Sequence, residues 1–365
     1  VKDCRASAEH PKSAASGTAV AFHMDIYDKL NDKMYIGMDV GMDDGIDDRI
    51  NDGMDDDMDD KMDDKMDDKM DDGTVRIVSK TDGSILMGPI RNFDPDHTFL
   101  CGQCFRWNRT ESGDWLGLAG SRAIRLRWDG CFLTAFGTTA EEIRSFWVPY
   151  LDLDEDYDAW KQELSISDEV MAEAIEFGNG LRLLRQDPWE TLITFLISQN
   201  NGIPRIRTIV DTLCCCFGES ILFEGSTLHA FPAPDVLAGL SPCEMDVCRA
   251  GYRNAYLLKT SRQIQEGAVN LSKLSSLPYP TALDCLLTLH GVGVKVAECA
   301  LLFSGIHRSA FPVDRWVLRV MGALYPDSGG TTESLRFYAQ ERWGHLAGLA
   351  QEYLFYFARA KRIGI

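Results

Sequence analysis

His290-Gly291-Val292-Gly293-Val294-Lys295 is the stretch on which the reading of this chain turns. Upstream, residues 280–289 carry an amphipathic helical pattern. Downstream, residues 294–303 carry a second, with small or apolar side chains at Val294, Ala297, Ala300 and Leu301. Two helices joined by a short turn with two glycines make a helix-hairpin-helix over 280–303. Gly291 and Gly293 allow positive φ and leave backbone N–H groups bare at the start of the second helix. Those amides stand at the positive end of a helix dipole and suit a nucleic-acid phosphate. Lys295 occupies that helix's first turn, where a cation is disfavoured. Such a position, with burial, favours a neutral and nucleophilic amine.

Asp314 lies nineteen residues beyond Lys295 and just ahead of a helical pattern over 315–324. As a pair, the amine could attack an electrophilic carbon and form a Schiff base. The carboxylate could take a proton, or stabilise positive charge on a sugar that is losing its base. Spacing alone also fits an ordinary solvated lysine and an aspartate that only caps a helix.

The chain has 365 residues and a net charge of −19, which at first sight excludes a DNA binder. The charge is uneven. Residues 1–73 hold 22 acids and 9 bases, and the remaining 292 hold 34 and 28. The rest of the chain is therefore only mildly acidic and leaves room for a local basic groove. Three of the eleven cysteines are consecutive, Cys214-Cys215-Cys216, which suits no disulfide framework. Cys101 and Cys104 have CxxC spacing but lack a second pair at zinc-finger distance. No cysteine follows Cys299, so an iron–sulfur cluster near the C-terminus has no ligands. No apolar run approaches ~18 residues. The expectation is a soluble cytoplasmic protein without a metal site.

Residues 1–73 read as a disordered acidic tail of low complexity. From Met34 to Met70 an apolar residue recurs every fourth position among Asp, Gly and Lys. That period drifts ~40° per step on an α-helix, so no lasting seam forms. It also lacks the ligand pattern of a calcium loop. Residues 74–165 read as an antiparallel sheet domain, with strands over 105–109, 114–119, 123–128 and 131–136 and then helical structure from 139. Residues 166–365 read as almost entirely helical. Asp187-Pro188-Trp189-Glu190 and Ser241-Pro242-Cys243-Glu244 are helix starts. Helical patterns run over 191–199, 203–217, 254–266, 332–343 and 345–361.

Other groups point the same way. Asn200 and Asn201 sit at a helix break with Arg205 a turn later, and Tyr252-Arg253 follows Gly251. Such side chains can replace lost base pairing and wedge into a stack, though singly each fits capping or surface charge. Gln351 and Phe355 form an i,i+4 pair that could bind a flat heterocycle, or could simply pack a core.

The sequence resembles the helix-hairpin-helix, Gly/Pro…Asp DNA glycosylases through residues 289–297 together with Pro312-Val313-Asp314. Gly102-Gln103-Cys104-Phe105-Arg106-Trp107 resembles the N-terminal signature of the 8-oxoguanine branch. Residues 183–188, Ser198-Gln199-Asn200-Asn201 and Gly251-Tyr252-Arg253 extend the likeness over about 90–361. The resemblance implies an α+β fold, with the N-terminal sheet domain packed on two mostly helical domains and the active site in the cleft between them. It implies a bifunctional glycosylase and AP lyase of base-excision repair, with Lys295 and Asp314 as catalytic residues. The Gly102 carbonyl would accept the proton that only the oxidised base carries on its imidazole ring. Cys299 and Phe355 would sandwich the base and Gln351 would bind its pairing edge. Asn200, Arg205 and Arg253 would hold the orphaned cytosine, with Tyr252 wedged beside it, and Gly291 and Gly293 would grip phosphate.

The implied partner is double-stranded DNA containing an oxidised purine, bound by a monomer in the bacterial cytoplasm, on the chromosome, with no membrane. No cofactor is required; the one ion allowed for is a monovalent or divalent cation bridging the hairpin and a DNA phosphate. Where the animal enzymes carry a His after the catalytic Asp and an Asp to orient it, this chain has Trp316 and Ala358. The alternatives are an alkylated-base glycosylase using Asp314 alone, a non-catalytic hairpin that only binds DNA, and an acidic interaction protein driven by the tail.

Overall fold

A computed structural model describes residues 75–364, so the expectation of a disordered tail over 1–73 lies outside the described residues. Six short strands form an antiparallel sheet: β1 (Ile77–Ser79), β2 (Ile85–Met87), β3 (Trp107–Arg109), β4 (Trp115–Ala119), β5 (Arg122–Trp128) and β6 (Leu133–Phe136). Their order is β1-β2-β6-β5-β4-β3, so the last four are the meander read from the sequence. The first two were not anticipated. Each is only three residues long, too short for alternation to show. Phe105 lies outside β3 and is buried among the helices instead. On β4, Gly117 lets Trp107 lie flat, since a Cβ there would come 2.4 Å from the indole. Trp107 in turn stacks on Phe99 at 3.9 Å.

Downstream, the helices follow their caps. The Asp187 carboxylate accepts the Glu190 N–H at 2.9 Å and opens the Pro188–Ser198 helix. Gly202 precedes the Ile203–Phe217 helix, and Arg253–Gln265, Thr332–Trp343 and Ala347–Lys361 fall close to their expected places. Ser241 and Glu244 do form a capping box, but the helix they open, Pro242–Met245, is short. One element departs from the helical expectation. β7 (Ser220–Phe223) and β8 (Ser226–His229) form a hairpin around Glu224 and Gly225, both with positive φ. That is the geometry a two-residue hairpin turn asks for.

The molecule is α+β with two apolar cores. The sheet buries Trp107, Trp115, Leu126 and Trp147 on its own side. The helices share a second core that runs from Leu192 and Leu196 through Ala297 and Leu301 to Leu349 and Leu354. The Tyr157–Ser165 helix, which the sequence grouped with the sheet, places Tyr157 and Leu164 in this helical core. Gln103, almost fully buried, ties the two together. Its amide donates to the Thr98 and Arg182 carbonyls, both at 2.8 Å, and its oxygen accepts the Leu184 N–H at 2.8 Å.

Candidate active site

The hairpin consists of the Tyr279–Leu287 and Val294–Phe303 helices. Between them Gly291 takes φ +79, and a Cβ there would come 2.4 Å from the Tyr256 ring, so glycine is required twice over. Gly293 differs from expectation. It caps the second helix at φ −95 and ψ 174, extended backbone open to any residue. With no side-chain cap and open space around Gly293, the first amides of that helix stay available to an anion.

Lys295 is half-buried one residue into the helix. Its ammonium donates to Ser198 Oγ at 3.4 Å and lies 4.9 Å from the centre of the Phe195 ring. One turn on, Cys299 is buried with the Lys295 and Asp314 charges in its surroundings, and burial pushes its thiol up to about 12. Lys295 and Asp314, nineteen residues apart in sequence, both lie near enough for their charges to act on this thiol. Asp314 is extended and caps the Arg315–Leu324 helix, Oδ1 accepting the Val317 N–H at 2.8 Å.

Beyond Asp314, Val317, Gln351, Leu354 and Phe355 line a narrow crevice without open room for a ligand, with Phe311, Val320 and Met321 behind. It is too narrow to take a planar base without side-chain movement. Gln351 is buried, and its Oε1 has no hydrogen-bond partner among the described residues. An orphaned buried acceptor is costly, and a ligand's N–H would satisfy it. Gly102 sits at the same helix face. Its φ is +119, and a Cβ there would lie 3.6 Å from the Phe355 ring. Trp316 and Ala358, the positions that depart from the animal pattern, make no hydrogen-bonded pair. The Trp316 indole N–H is buried without a partner among the described residues, and Ala358 is fully buried.

A second cluster surrounds Gln199. Asn200, at φ +52, donates to the Tyr252 hydroxyl at 3.3 Å, and Arg205 donates to the Arg249 carbonyl at 3.0 Å. Tyr252 is half exposed, as a wedge must be. Arg253 is not placed as expected. It is buried and spends its donors on the Gln199 carbonyl, at 2.7 Å from Nε, and on the Ala250 carbonyl at 3.1 Å. In this arrangement it shapes the loop rather than facing an orphaned base. The Gln199 side chain donates to the Gly291 carbonyl at 3.2 Å, which joins this cluster to the hairpin.

Two contributors went unassigned in the sequence. Ser198 stood in a quoted motif but without a role. Glu298 is fully buried on the Lys295 helix and accepts from Tyr279 at 2.9 Å and Arg336 at 2.8 Å. It also takes the Phe311 N–H, just ahead of Asp314, and burial pushes it up to about 7. Its signal was a lone acid in an apolar helix. Among the described residues, no three His, Cys, Asp or Glu side chains gather to hold a metal ion.

The chain is similar to several known proteins. Residues 85–192 match the family described as 8-oxoguanine DNA glycosylase, N-terminal domain. The chain is 31% identical to a probable N-glycosylase/DNA lyase of Methanothermobacter thermautotrophicus, over 53% of this chain and 68% of that protein. It is 31% identical to the N-glycosylase/DNA lyase OGG1 of Arabidopsis thaliana, over 71% and 75%. The 8-oxoguanine glycosylase/lyase of Clostridium acetobutylicum, solved with double-stranded DNA containing cytosine opposite 8-oxoguanine, superposes with a TM-score of 0.75. That match has 36% identity and covers 80% of this chain and 99% of the other.

Proposed function

The chain belongs to the 8-oxoguanine branch of the helix-hairpin-helix DNA glycosylases, and from that premise we propose how its residues divide the work. It is a base-excision repair enzyme, a glycosylase with AP lyase activity that acts on double-stranded DNA. The residue assignment is supported by Lys295 and Asp314 lying within electrostatic reach of one buried thiol, Cys299, with Asp314 capping the helix whose Val317 lines the Gln351–Phe355 crevice.

The damaged nucleotide leaves the stack and its base enters the crevice as Phe355 moves aside. Lys295 Nζ, as the neutral amine, attacks the sugar C1′. The C1′–N9 bond breaks and its electron pair leaves with the base. The attacking nitrogen gives up one proton to the departing base, the ring C1′–O4′ bond then breaks with O4′ taking a proton from solvent, and the product is an iminium between Lys295 and the opened sugar. Loss of a proton from C2′ and departure of the 3′ phosphate complete the elimination. Asp314 stabilises the positive charge that builds on the sugar. Gln351 Oε1 takes an N–H of the pairing edge. The Gly102 carbonyl takes the imidazole N–H of 8-oxoguanine, where normal guanine would present a lone pair. Asn200, Arg205 and Tyr252 fill the hole opposite an estranged cytosine, and Gly291 and Gly293 offer amides to phosphate.

The chemistry needs no cofactor. The Leu289, His290 and Gly291 carbonyls already accept hydrogen bonds but keep a lone pair each, which fits a cation bridging hairpin and phosphate. Among the described residues no helix is long and apolar enough to cross a membrane. The proposed setting is the bacterial cytoplasm, on the chromosome, as a monomer.

Borohydride reduction tests the proposal. With an 8-oxoguanine:cytosine duplex the wild-type chain should become covalently bound to DNA, and Lys295→Ala should give no adduct. An adduct that survives in Lys295→Ala would assign the nucleophile elsewhere.

A further inference from the structure

Glu352, Phe355 and Arg359 recur at helical spacing along the Ala347–Lys361 helix, and all three meet the segment that leads into Gly102. Arg359 Nη2 donates to the Leu100 carbonyl at 2.6 Å and Nη1 to the Cys101 carbonyl at 3.0 Å. The Cys101 thiol donates to the Thr98 carbonyl at 3.2 Å, with the buried Glu352 carboxyl close by. A Cβ on Gly102 would lie 3.6 Å from both Arg359 Nη1 and the Phe355 ring, and the guanidinium sits 5.6 Å from that ring's centre.

Leu100 ends the Pro95–Leu100 helix, so these carbonyls are among those a helix leaves without an internal partner. A guanidinium's planar fork holds two of them in one fixed geometry, where an ammonium's donors rotate freely about a single nitrogen. Gly102 is the most permissive residue the chain could place here, and at φ +119 nothing in its own side chain fixes its peptide. The direction of its carbonyl is imposed from outside.

We infer that Arg359 is a positioning residue that fixes the Gly102 carbonyl and, through it, the discrimination of 8-oxoguanine from guanine. The inference rests on the proposed role of Gly102. A held carbonyl rewards the oxidised base with a hydrogen bond and sets a lone pair against N7 of normal guanine. A loose one forfeits the reward and, by turning away, relieves the clash. Loss of Arg359 thus weakens selectivity from both sides. The Schiff-base chemistry of Lys295 does not run through Gly102 and stays intact.

The test uses the full chain as wild type, Arg359→Met and Arg359→Lys. Three quantities are read: affinity for otherwise identical 8-oxoguanine:cytosine and guanine:cytosine duplexes, single-turnover excision, and cleavage of a preformed abasic site. Arg359→Met should narrow the 8-oxoguanine preference by about tenfold or more, as expected for one buried hydrogen bond lost and one repulsion relieved. Abasic-site cleavage should stay within about twofold, because base recognition is bypassed. Arg359→Lys keeps the charge and should fall between, and it carries the test if Arg359→Met does not fold. An unchanged preference in a folded variant overturns the inference. So does a parallel loss of preference and abasic-site cleavage, which would mark a merely structural arginine. If the wild type shows no 8-oxoguanine preference, the role of Gly102 falls first, and this inference with it.

Discussion

Asp314 carries two tasks on one carboxylate, and substitution can separate them. Its Oδ1 caps a helix through the Val317 N–H, a job asparagine does as well. Asp314→Asn should therefore keep the wild-type melting temperature while single-turnover excision falls ~10²–10⁴-fold, the usual range for a lost charge at the reacting centre. Asp314→Ala should lose the rate and also about 1 kcal/mol of stability in thermal unfolding. Equal rates for Asp314→Asn and wild type would leave the residue only a cap. At Gly291 the conflict is steric. Gly291→Ala meets both a positive φ and the Tyr256 ring, and should cost about 1–3 kcal/mol in urea unfolding. Lys295 stood out in the sequence because a cation is unusual in a helix's first turn, whereas Asp314, Gln351 and Phe355 had ordinary readings as a cap and a packed pair and drew their roles from the family motifs. Arg359 was not. Its partners, Leu100 and Cys101, lie 259 and 258 residues earlier in the sequence, and an arginine near a helix C-terminus has an ordinary explanation in the dipole.

Among elements, Glu298 links four pieces of chain: its own helix, Tyr279, Arg336 and the Phe311 amide ahead of Asp314. Its folded pKa, about 7, stands above its ordinary value of 4.5. An acid raised on folding contributes stability that is complete below about 4.5 and lost as pH rises through about 7. Urea unfolding between those limits should show this decline, with a slope of at most ~1.4 kcal/mol per pH unit. Glu298→Gln should flatten that part of the profile, and an unaltered slope would assign it to other groups. Helix edges were readable where a cap coincided with an apolar period, as at Asp187 and Asp314. β1 and β2 were not, being three residues each and held by pairing rather than pattern. The β7–β8 hairpin did carry a signal, Glu224-Gly225 directly after the short apolar run Ile221-Leu222-Phe223, that a helical frame obscured.

For the whole molecule, the join between its two cores was the least visible feature, because a glutamine within the Gly102–Trp107 signature does not announce that it bridges layers. Gln103→Leu should cost about 2–4 kcal/mol, since it strips partners from the Thr98 and Arg182 carbonyls and the Leu184 amide. Charge is the other property at this scale. Deleting residues 1–73 would change the net charge from −19 to −6. Full excision by the shortened chain is expected, with tighter duplex binding at low salt if the acidic stretch competes with phosphate.

The narrowness of the Gln351–Phe355 crevice bears on what happens after the reaction. A slot that closes behind its occupant gives a detached purine no resting place. Free 8-oxoguanine added to a turnover assay should leave the rate unchanged, and the long-lived product should be the cleaved strand.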